Sequence, residues 1–116
     1  MTIQRFETGP RMSQVVVHGN TVYLAGVVAS NAAGKSVTEQ TQDILATIDG
    51  HLAKAGTDKS KLLTAQVWLS DMRLFRTHNL AWNEWVDPER PPVRACVQAE
   101  LFAPGLLVEI MVTAAR

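Results

Sequence analysis

Apolar and polar residues alternate in several short segments of the chain, which is the pattern of β-strands. Two apolar segments, 15–17 and 21–25, flank the turn residues 18–20 and predict a β-hairpin. Residues 63–70 alternate with a period of two, and the apolar set consists of Leu63, Ala65, Val67 and Leu69. This third segment therefore predicts a strand with one fully apolar face.

Two other segments repeat their apolar residues at intervals of three and four, which predicts helices. Ser36 and Glu39 have the spacing of a capping box, so the first helix is placed at about 37–55. Asp71 can cap the second helix, which ends before Asp87-Pro88. One side of this second helix carries Leu74, Phe75, His78, Ala81, Trp82 and Trp85.

The C-terminal part of the chain predicts two further strands, at 93–101 and 106–114, joined by a hairpin turn at 102–105. Their apolar faces consist of Ala95, Val97, Ala99, Leu101, Val108, Ile110 and Val112. The order is then β-β-α-β-α-β-β, and residues 3–6 are a candidate for one more short strand. This order predicts one α+β domain over residues 1–116, with a mixed sheet and two helices on one face.

Two helices cover only one side of such a sheet, so the other side is predicted to be open. It would carry a mixture of Gln66, Trp68, Arg94, Cys96, Gln98, Leu107, Glu109 and Met111. This mixture is typical of a subunit interface, and a solvated sheet face is the alternative. Arg94 and Glu109 would share this face about 13–20 Å apart, so a site that uses both must be completed by a second subunit.

Composition and charge narrow the classes of function. The chain has 11 basic and 11 acidic residues and no basic stripe, which argues against a nucleic-acid partner. Its single cysteine, Cys96, excludes an intrachain disulfide and a multi-cysteine metal site. No segment has the length of a membrane span, and the N-terminal residues lack the pattern of a signal peptide. A cytoplasmic protein without a membrane partner is therefore predicted.

Arg94 and Glu109 are the residues whose chemistry points to a ligand. A guanidinium can hold a carboxylate through two parallel hydrogen bonds, so a partly buried arginine in a cleft can anchor an organic acid. A glutamate carboxylate can hold or deprotonate an attacking water. Either side chain can instead form a structural ion pair, and Cys96 fits a buried thiol better than a nucleophile. The three histidines are too far apart in the sequence to form a metal-ligand pattern.

Several motifs resemble the RidA/YjgF family over nearly the whole chain. The most specific are Pro92-Val93-Arg94-Ala95-Cys96-Val97 and Val108-Glu109-Ile110, supported by Val67-Trp68-Leu69-Ser70-Asp71 and by Phe75 with Asn79. The resemblance implies a chorismate-mutase-like fold of the bacillus type. It also implies a homotrimer built around a central barrel of sheets, with sites in the three intersubunit clefts.

The family resemblance further implies a reaction, the hydrolysis of reactive 2-imino and enamine acids to 2-keto acids and ammonia, without a metal or organic cofactor. By position, it assigns Arg94 to the carboxylate of the substrate and Glu109 to the hydrolytic water. It places Asn79 and Cys96 in the same cleft. A small carboxylate-bearing metabolite and further copies of the chain itself are the partners that the resemblance implies.

Two positions depart from the family pattern, because Met12 and Ala25 stand where deaminating members have a tyrosine and a serine. Each missing hydroxyl removes a hydrogen bond worth about 0.5–1.5 kcal/mol. Three consequences are open: weaker substrate binding, an apolar pocket that takes a more apolar substrate, or loss of activity. The chain is therefore either a deaminase or a non-catalytic module that binds a small carboxylate in the same cleft. A third option is the ribonuclease activity attributed to some relatives, against which the neutral charge argues.

Overall fold

A computed structural model describes all 116 residues as a mixed β-sheet with two α-helices packed on one face. The elements are β1 Ile3–Thr8, β2 Ser13–His18, β3 Thr21–Leu24, β4 Val27–Val28, α1 Val37–Lys54, β5 Leu62–Leu69, α2 Phe75–Trp85, β6 Val93–Gln98 and β7 Val108–Ala115. The α+β class, the mixed sheet and the pair of helices agree with the sequence-based prediction. Neither helix combines the length and the apolar character that crossing a bilayer requires.

The strands follow the order β1-β2-β3-β7-β5-β6, and β4 pairs with β7 beside β3. Every pairing is antiparallel except that of β5 with β6, which is parallel. The hairpin predicted between residues 93–101 and 106–114 is therefore wrong. Helix α2 returns the chain so that β6 pairs in parallel with β5 at the sheet edge, and residues 99–107 lead it back to the centre, where β7 lies between β3 and β5.

The parallel register reverses the predicted orientation of β6. Arg94 pairs with Ala65 and Cys96 with Val67, so both side chains point to the helix-covered face. Ala95 is exposed, and Val97 lies on the open face as well. Because β6 is an edge strand, burying its small apolar residues would stabilise the fold little. The observed orientation instead lets Arg94 contact residues of α2.

Only four of the eight residues predicted for the open face lie on it. Gln66, Trp68, Glu109 and Met111 lie on it, because their positions pair with one another across β5 and β7. Cys96, Arg94 and Gln98 lie on the opposite face, and Leu107 lies outside the strands, where it packs against the core.

Two local features shift individual residues from their predicted places. A β-bulge between Leu62 and Thr64 buries Leu62 and leaves Leu63 45% exposed, which contradicts the predicted burial of Leu63. Asp71 accepts a hydrogen bond from the backbone N–H of Arg73 and so caps the 3-10 turn that precedes α2. Half of the predicted capping box forms at α1, where the hydroxyl of Ser36 accepts from the N–H of Glu39 at 3.2 Å. The carboxylate of Glu39 accepts from the hydroxyl of Ser36 instead of from its backbone N–H.

One buried polar side chain joins α1 to the irregular segment between β6 and β7. Gln40 is fully buried, and its Nε2 donates to the carbonyl oxygens of Gly105 at 2.7 Å and Lys35 at 3.1 Å. Its Oε1 accepts from the N–H of Leu107 at 2.9 Å. Because this segment carries few backbone hydrogen bonds of its own, the amide of Gln40 holds it on the helix and directs the chain into β7.

We expect Gln40→Ala to lower the free energy of unfolding by about 1–3 kcal/mol, because it removes the acceptor of the Leu107 N–H and the donor that bonds Lys35 and Gly105. Urea unfolding followed by circular dichroism measures this change. Gln42→Ala is the matched control, because Gln42 is an exposed residue of the same type on the same helix and should change stability by less than about 0.5 kcal/mol. Equal losses in the two variants would show that the amide of Gln40 has no special role.

Candidate functional site

The guanidinium of Arg94 is held in one position between β6 and α2. Its Nη2 donates to Oδ1 of Asn79 at 2.9 Å. Its Cζ lies 5.1 Å from the centre of the indole ring of Trp82, within the range of a cation–π interaction. The other terminal nitrogen, Nη1, is buried and has no hydrogen-bond partner. Arg94 is thus oriented by neighbours that leave one charged donor group unsatisfied.

Helix geometry explains why these neighbours converge. Asn79 and Trp82 are three residues apart on α2, so they lie on adjoining turns of one helix face, and His78 lies beside them, four residues from Trp82. The βαβ connection places this face over β6, so Arg94 extends into it. Asn79 therefore binds Arg94 itself, a contact that motif resemblance alone does not reveal.

His78 is a buried histidine beside this cation. It has no exposed surface, and its Nδ1 lies 2.9 Å from Oγ1 of Thr41 on α1. Burial, with the positive charge of Arg94 as a second cause, lowers the pKa of His78 to about 4. The imidazole is therefore neutral at neutral pH and adds no second charge next to the guanidinium.

Cys96 lies two residues beyond Arg94 on the same side of β6 and packs against the core. Burial raises the pKa of its thiol, and the charge of Arg94 opposes this effect without overcoming it. The thiol form therefore dominates at neutral pH. This state fits the expectation of an unreactive cysteine rather than a nucleophile, although Cys96 is only partly buried.

Glu109 occupies a different part of the molecule, on β7 opposite Val28 of β4. Its carboxylate extends over Gly26, where any side-chain carbon would overlap Oε2. Gly26 lies in the break between β3 and β4, so the missing side chain provides the space that the carboxylate occupies. No group of this chain donates a hydrogen bond or forms an ion pair to Glu109, so its oxygens remain available as acceptors.

Glu109 lines a crevice of about 520 Å³ that extends to the partly exposed side of α1. Its thirteen lining residues include four hydrophobic ones, and the set is Glu7, Met12, Gln14, Gly26, Val27, Val28, Ser30, Asn31, Asp43, Thr47, His51, Phe102 and Glu109. Met12 lies in this set, half-exposed, and Ala25 lies at its margin, where its N–H donates to the carbonyl of Gln14. With three carboxylates in its lining, the crevice is more polar than the apolar pocket expected around Met12 and Ala25.

Arg94 and Glu109 do not converge within one chain. Arg94 pairs with Ala65, whereas Glu109 pairs with Trp68 on the other side of β5. Three residues along the strand and two strand spacings across the sheet separate their Cα atoms by about 14 Å. The two side chains also point to opposite faces, which corrects the prediction that they share one face. They can serve one site only if two chains contribute to it.

The sequence pattern did not identify Trp82, His78 and Gly26 as neighbours of these two residues. Periodicity places Trp82 and His78 on the apolar side of α2 but cannot show that a cation of β6 lies against them. A sequence signal that could have indicated this contact is an amide and an aromatic residue on one face of a helix, followed by an arginine in the next strand.

Comparisons with known proteins extend over the full chain. A family model described as Endoribonuclease L-PSP matches residues 2–116. A RutC family protein of Haemophilus influenzae is 46% identical over 114 residues, which is 98% of both chains. The crystal structure of a YjgF family member from Neisseria meningitidis aligns with a TM-score of 0.96 at 41% identity and covers 100% of this chain and 96% of that one. The 3-aminoacrylate deaminase RutC of Acinetobacter baylyi is 30% identical over 96 residues, 78% of this chain and 75% of that protein.

Stability should depend on pH through His78. Its pKa is about 4 in the folded chain and about 6.5 when unfolded, so the unfolded state binds more protons between these values. Stability is therefore lost as the pH falls from about 6.5 towards 4, by up to about 3 kcal/mol. Urea unfolding at pH 7, 6, 5 and 4.5 measures this slope. In His78→Gln, which does not titrate, the slope should be shallower, and parallel curves for the two proteins would contradict the assignment.

Proposed function

Because the chain belongs to the YjgF/RidA family, we propose that it is a hydrolytic deaminase that converts reactive 2-imino and enamine acids to 2-keto acids and ammonia. The similarity to a protein named 3-aminoacrylate deaminase supports a deaminating role at the level of the family. The single observation that carries the proposal in this chain is the half-buried guanidinium of Arg94, which Asn79 and Trp82 hold in place and which no carboxylate of this chain contacts.

Arg94 is proposed to bind the carboxylate that all these substrates share. A guanidinium whose plane is already held by Asn79 and Trp82 loses little conformational freedom when it binds an anion. Nη1 itself has no exposed surface, so a carboxylate would bind the part of the half-buried Arg94 side chain that is still accessible. The arrangement therefore fits an organic anion better than a structural ion pair, because no carboxylate of this chain contacts Arg94.

Glu109 is proposed to act on the water. An enamine acid first takes a proton at carbon 3 and becomes the 2-imino acid. The oxygen of water then bonds to carbon 2 while Glu109 accepts a proton from that water and passes it to the imine nitrogen, which becomes an amine. The proton of the new hydroxyl group moves to this amine, and when the bond between carbon 2 and nitrogen breaks, ammonia leaves with the electron pair and the keto group forms. No electrons are exchanged with a further reactant, so the balance needs only water.

The geometry of the two halves supports a site shared between subunits. Arg94 and Glu109 lie about 14 Å apart on opposite faces of the sheet, so the proposal requires Arg94 of one copy to meet Glu109 of another. The open face offers Trp68 and Met111 for such contacts, and Val93 on the edge strand is 71% exposed. We propose a cytoplasmic homotrimer, and a solution mass of three 12.7-kDa chains is the result expected from light scattering.

The second candidate is a binding module that uses the same cleft without turnover. Met12 and Ala25 favour this candidate, because neither side chain can donate the hydrogen bond that a tyrosine or serine would supply. Both candidates require Arg94, and only the deaminase requires Glu109. Cleavage of RNA, the activity that the name of the family model describes, has weaker support because the 11 basic residues are balanced by 11 acidic ones.

Two substitutions distinguish these functions. We expect Arg94→Ala to weaken binding of a small 2-keto acid about 10- to 150-fold, because charge-assisted hydrogen bonds to the carboxylate are lost. We expect Glu109→Gln to lower turnover about 10²- to 10⁴-fold with binding unchanged. Calorimetry with pyruvate measures binding. Turnover is followed as keto acid released from an imino acid that an amino-acid oxidase generates in the assay.

The control for both measurements is Arg76→Ala, because Arg76 is an exposed arginine of α2. This variant should behave as the unsubstituted protein does. Pyruvate binding without acceleration of any imino acid would support the binding module, and unchanged turnover in Glu109→Gln would refute the role given to Glu109.

Gly26→Ala should separate the position of Glu109 from its chemistry. The added methyl group would overlap Oε2 and displace the flexible end of Glu109, which costs the fold little. We expect turnover to fall at least about tenfold, while pyruvate binding and the unfolding midpoint stay close to their original values. Gly50→Ala is the control, because a side-chain carbon there meets no atom within 4 Å. Normal turnover in Gly26→Ala would mean that the carboxylate need not lie over Gly26.

A further inference from the structure

The tryptophans of α2 differ in what they contact. Trp82 is only 5% exposed, belongs to the core and carries the guanidinium of Arg94 over its ring at 5.1 Å. Trp85 follows one turn later, with its ring centre 5.4 Å from that of Trp82. Its Nε1 donates to the carboxylate of Asp49 at 3.0 Å, and the amine of Lys59 lies over its ring. Only the first of these rings touches the proposed anion-binding arginine.

We propose that Trp82 is a positioning residue for substrate binding, which acts by holding the guanidinium of Arg94 in the plane that receives the carboxylate. This inference rests on the proposed function, because it assumes that Arg94 binds the substrate. Trp82 would pack in the core without this role, so the proposed role is additional to its packing. Trp82 itself does not touch the substrate in this arrangement.

Placing the charge of Arg94 against the core carries a free-energy cost. Asn79 satisfies one terminal nitrogen of Arg94, and Nη1 is buried without an acceptor. An unsatisfied charged donor is unfavourable in a place where water is excluded, so another attraction must keep the side chain there. The negative face of an indole ring provides this attraction, and it is stronger when the cation is desolvated.

No second positive charge weakens the attraction between Arg94 and the ring of Trp82. His78, four residues before Trp82 on α2, is fully buried and neutral at neutral pH. No other cation contacts the ring of Trp82, since Lys59 lies over the ring of Trp85 instead. Arg94 is therefore the single positive charge on the ring of Trp82, with an orientation defined by one hydrogen bond and one ring face.

Orientation affects binding because a carboxylate accepts two parallel hydrogen bonds only from a guanidinium in its own plane. Arg94 lies on an edge strand, where a long side chain without the ring could rotate towards solvent. Restricting this rotation before the substrate arrives reduces the entropy lost on binding. The ring thus increases affinity for every substrate with a carboxylate, whatever its remaining side chain.

The first test is pyruvate binding by calorimetry to three variants. Trp82→Leu removes the ring and should raise the Kd about 5- to 30-fold, whereas Trp82→Phe keeps a weaker ring face and should raise it about two- to fivefold. Trp85→Phe is the matched control and should leave the Kd unchanged, since this ring contacts Asp49 and Lys59. If Trp82→Leu does not fold, the contrast between Trp82→Phe and Trp85→Phe decides the question.

The second test observes Arg94 directly and does not depend on activity. In protein labelled with ¹⁵N-arginine, a restrained Arg94 should give separate signals for its two terminal nitrogens at low temperature. These signals should merge in Trp82→Leu and stay separate in Trp85→Phe. Merged signals in the unsubstituted protein, or equal Kd values in Trp82→Phe and Trp85→Phe, would overturn the role of Trp82. If restraint is seen but no variant binds pyruvate, the positioning holds and the proposed function fails.

Discussion

The parallel pairing of β5 with β6 is the constraint on which the rest of the structure depends. It requires α2 to cross over the sheet, and this crossover brings Asn79 and Trp82 to the strand that carries Arg94. In an antiparallel hairpin with β7, the guanidinium would point to the open face and lack both partners. The orientation of one edge strand therefore determines whether the cation is held or free.

The same topology separates the two residues with the clearest chemistry. Because β7 enters between β3 and β5, Glu109 lies two strands from Arg94 and on the opposite face. Each half of the proposed site is positioned separately. An aromatic ring and an amide hold Arg94, and the space over Gly26 accommodates Glu109. A reaction that needs both halves would link catalysis to assembly, since neither half is complete in one chain.

Much of the fold follows from local patterns. The N-cap at Ser36 and the three- and four-residue spacing define α1 because both depend on interactions within one helix. Strand parity is reliable for β7 and for β5 beyond its bulge, since the inner faces of both strands are buried. It fails for β6, whose edge position leaves Ala95 exposed. The residues with candidate chemistry could likewise be named from motifs, whereas their neighbours could not.

The sequence by itself determined both helices and most of the strands, the α+β class, and the identity of Arg94 and Glu109 as candidate residues, because these depend on residue type and on short-range spacing. Only the tertiary structure decided which strands are neighbours and which face Arg94 occupies. It also placed the ring of Trp82 beneath the cation and the carboxylate of Glu109 over Gly26. These features result from pairings between segments far apart in the chain, where the energy of packing outweighs the preference of any single turn.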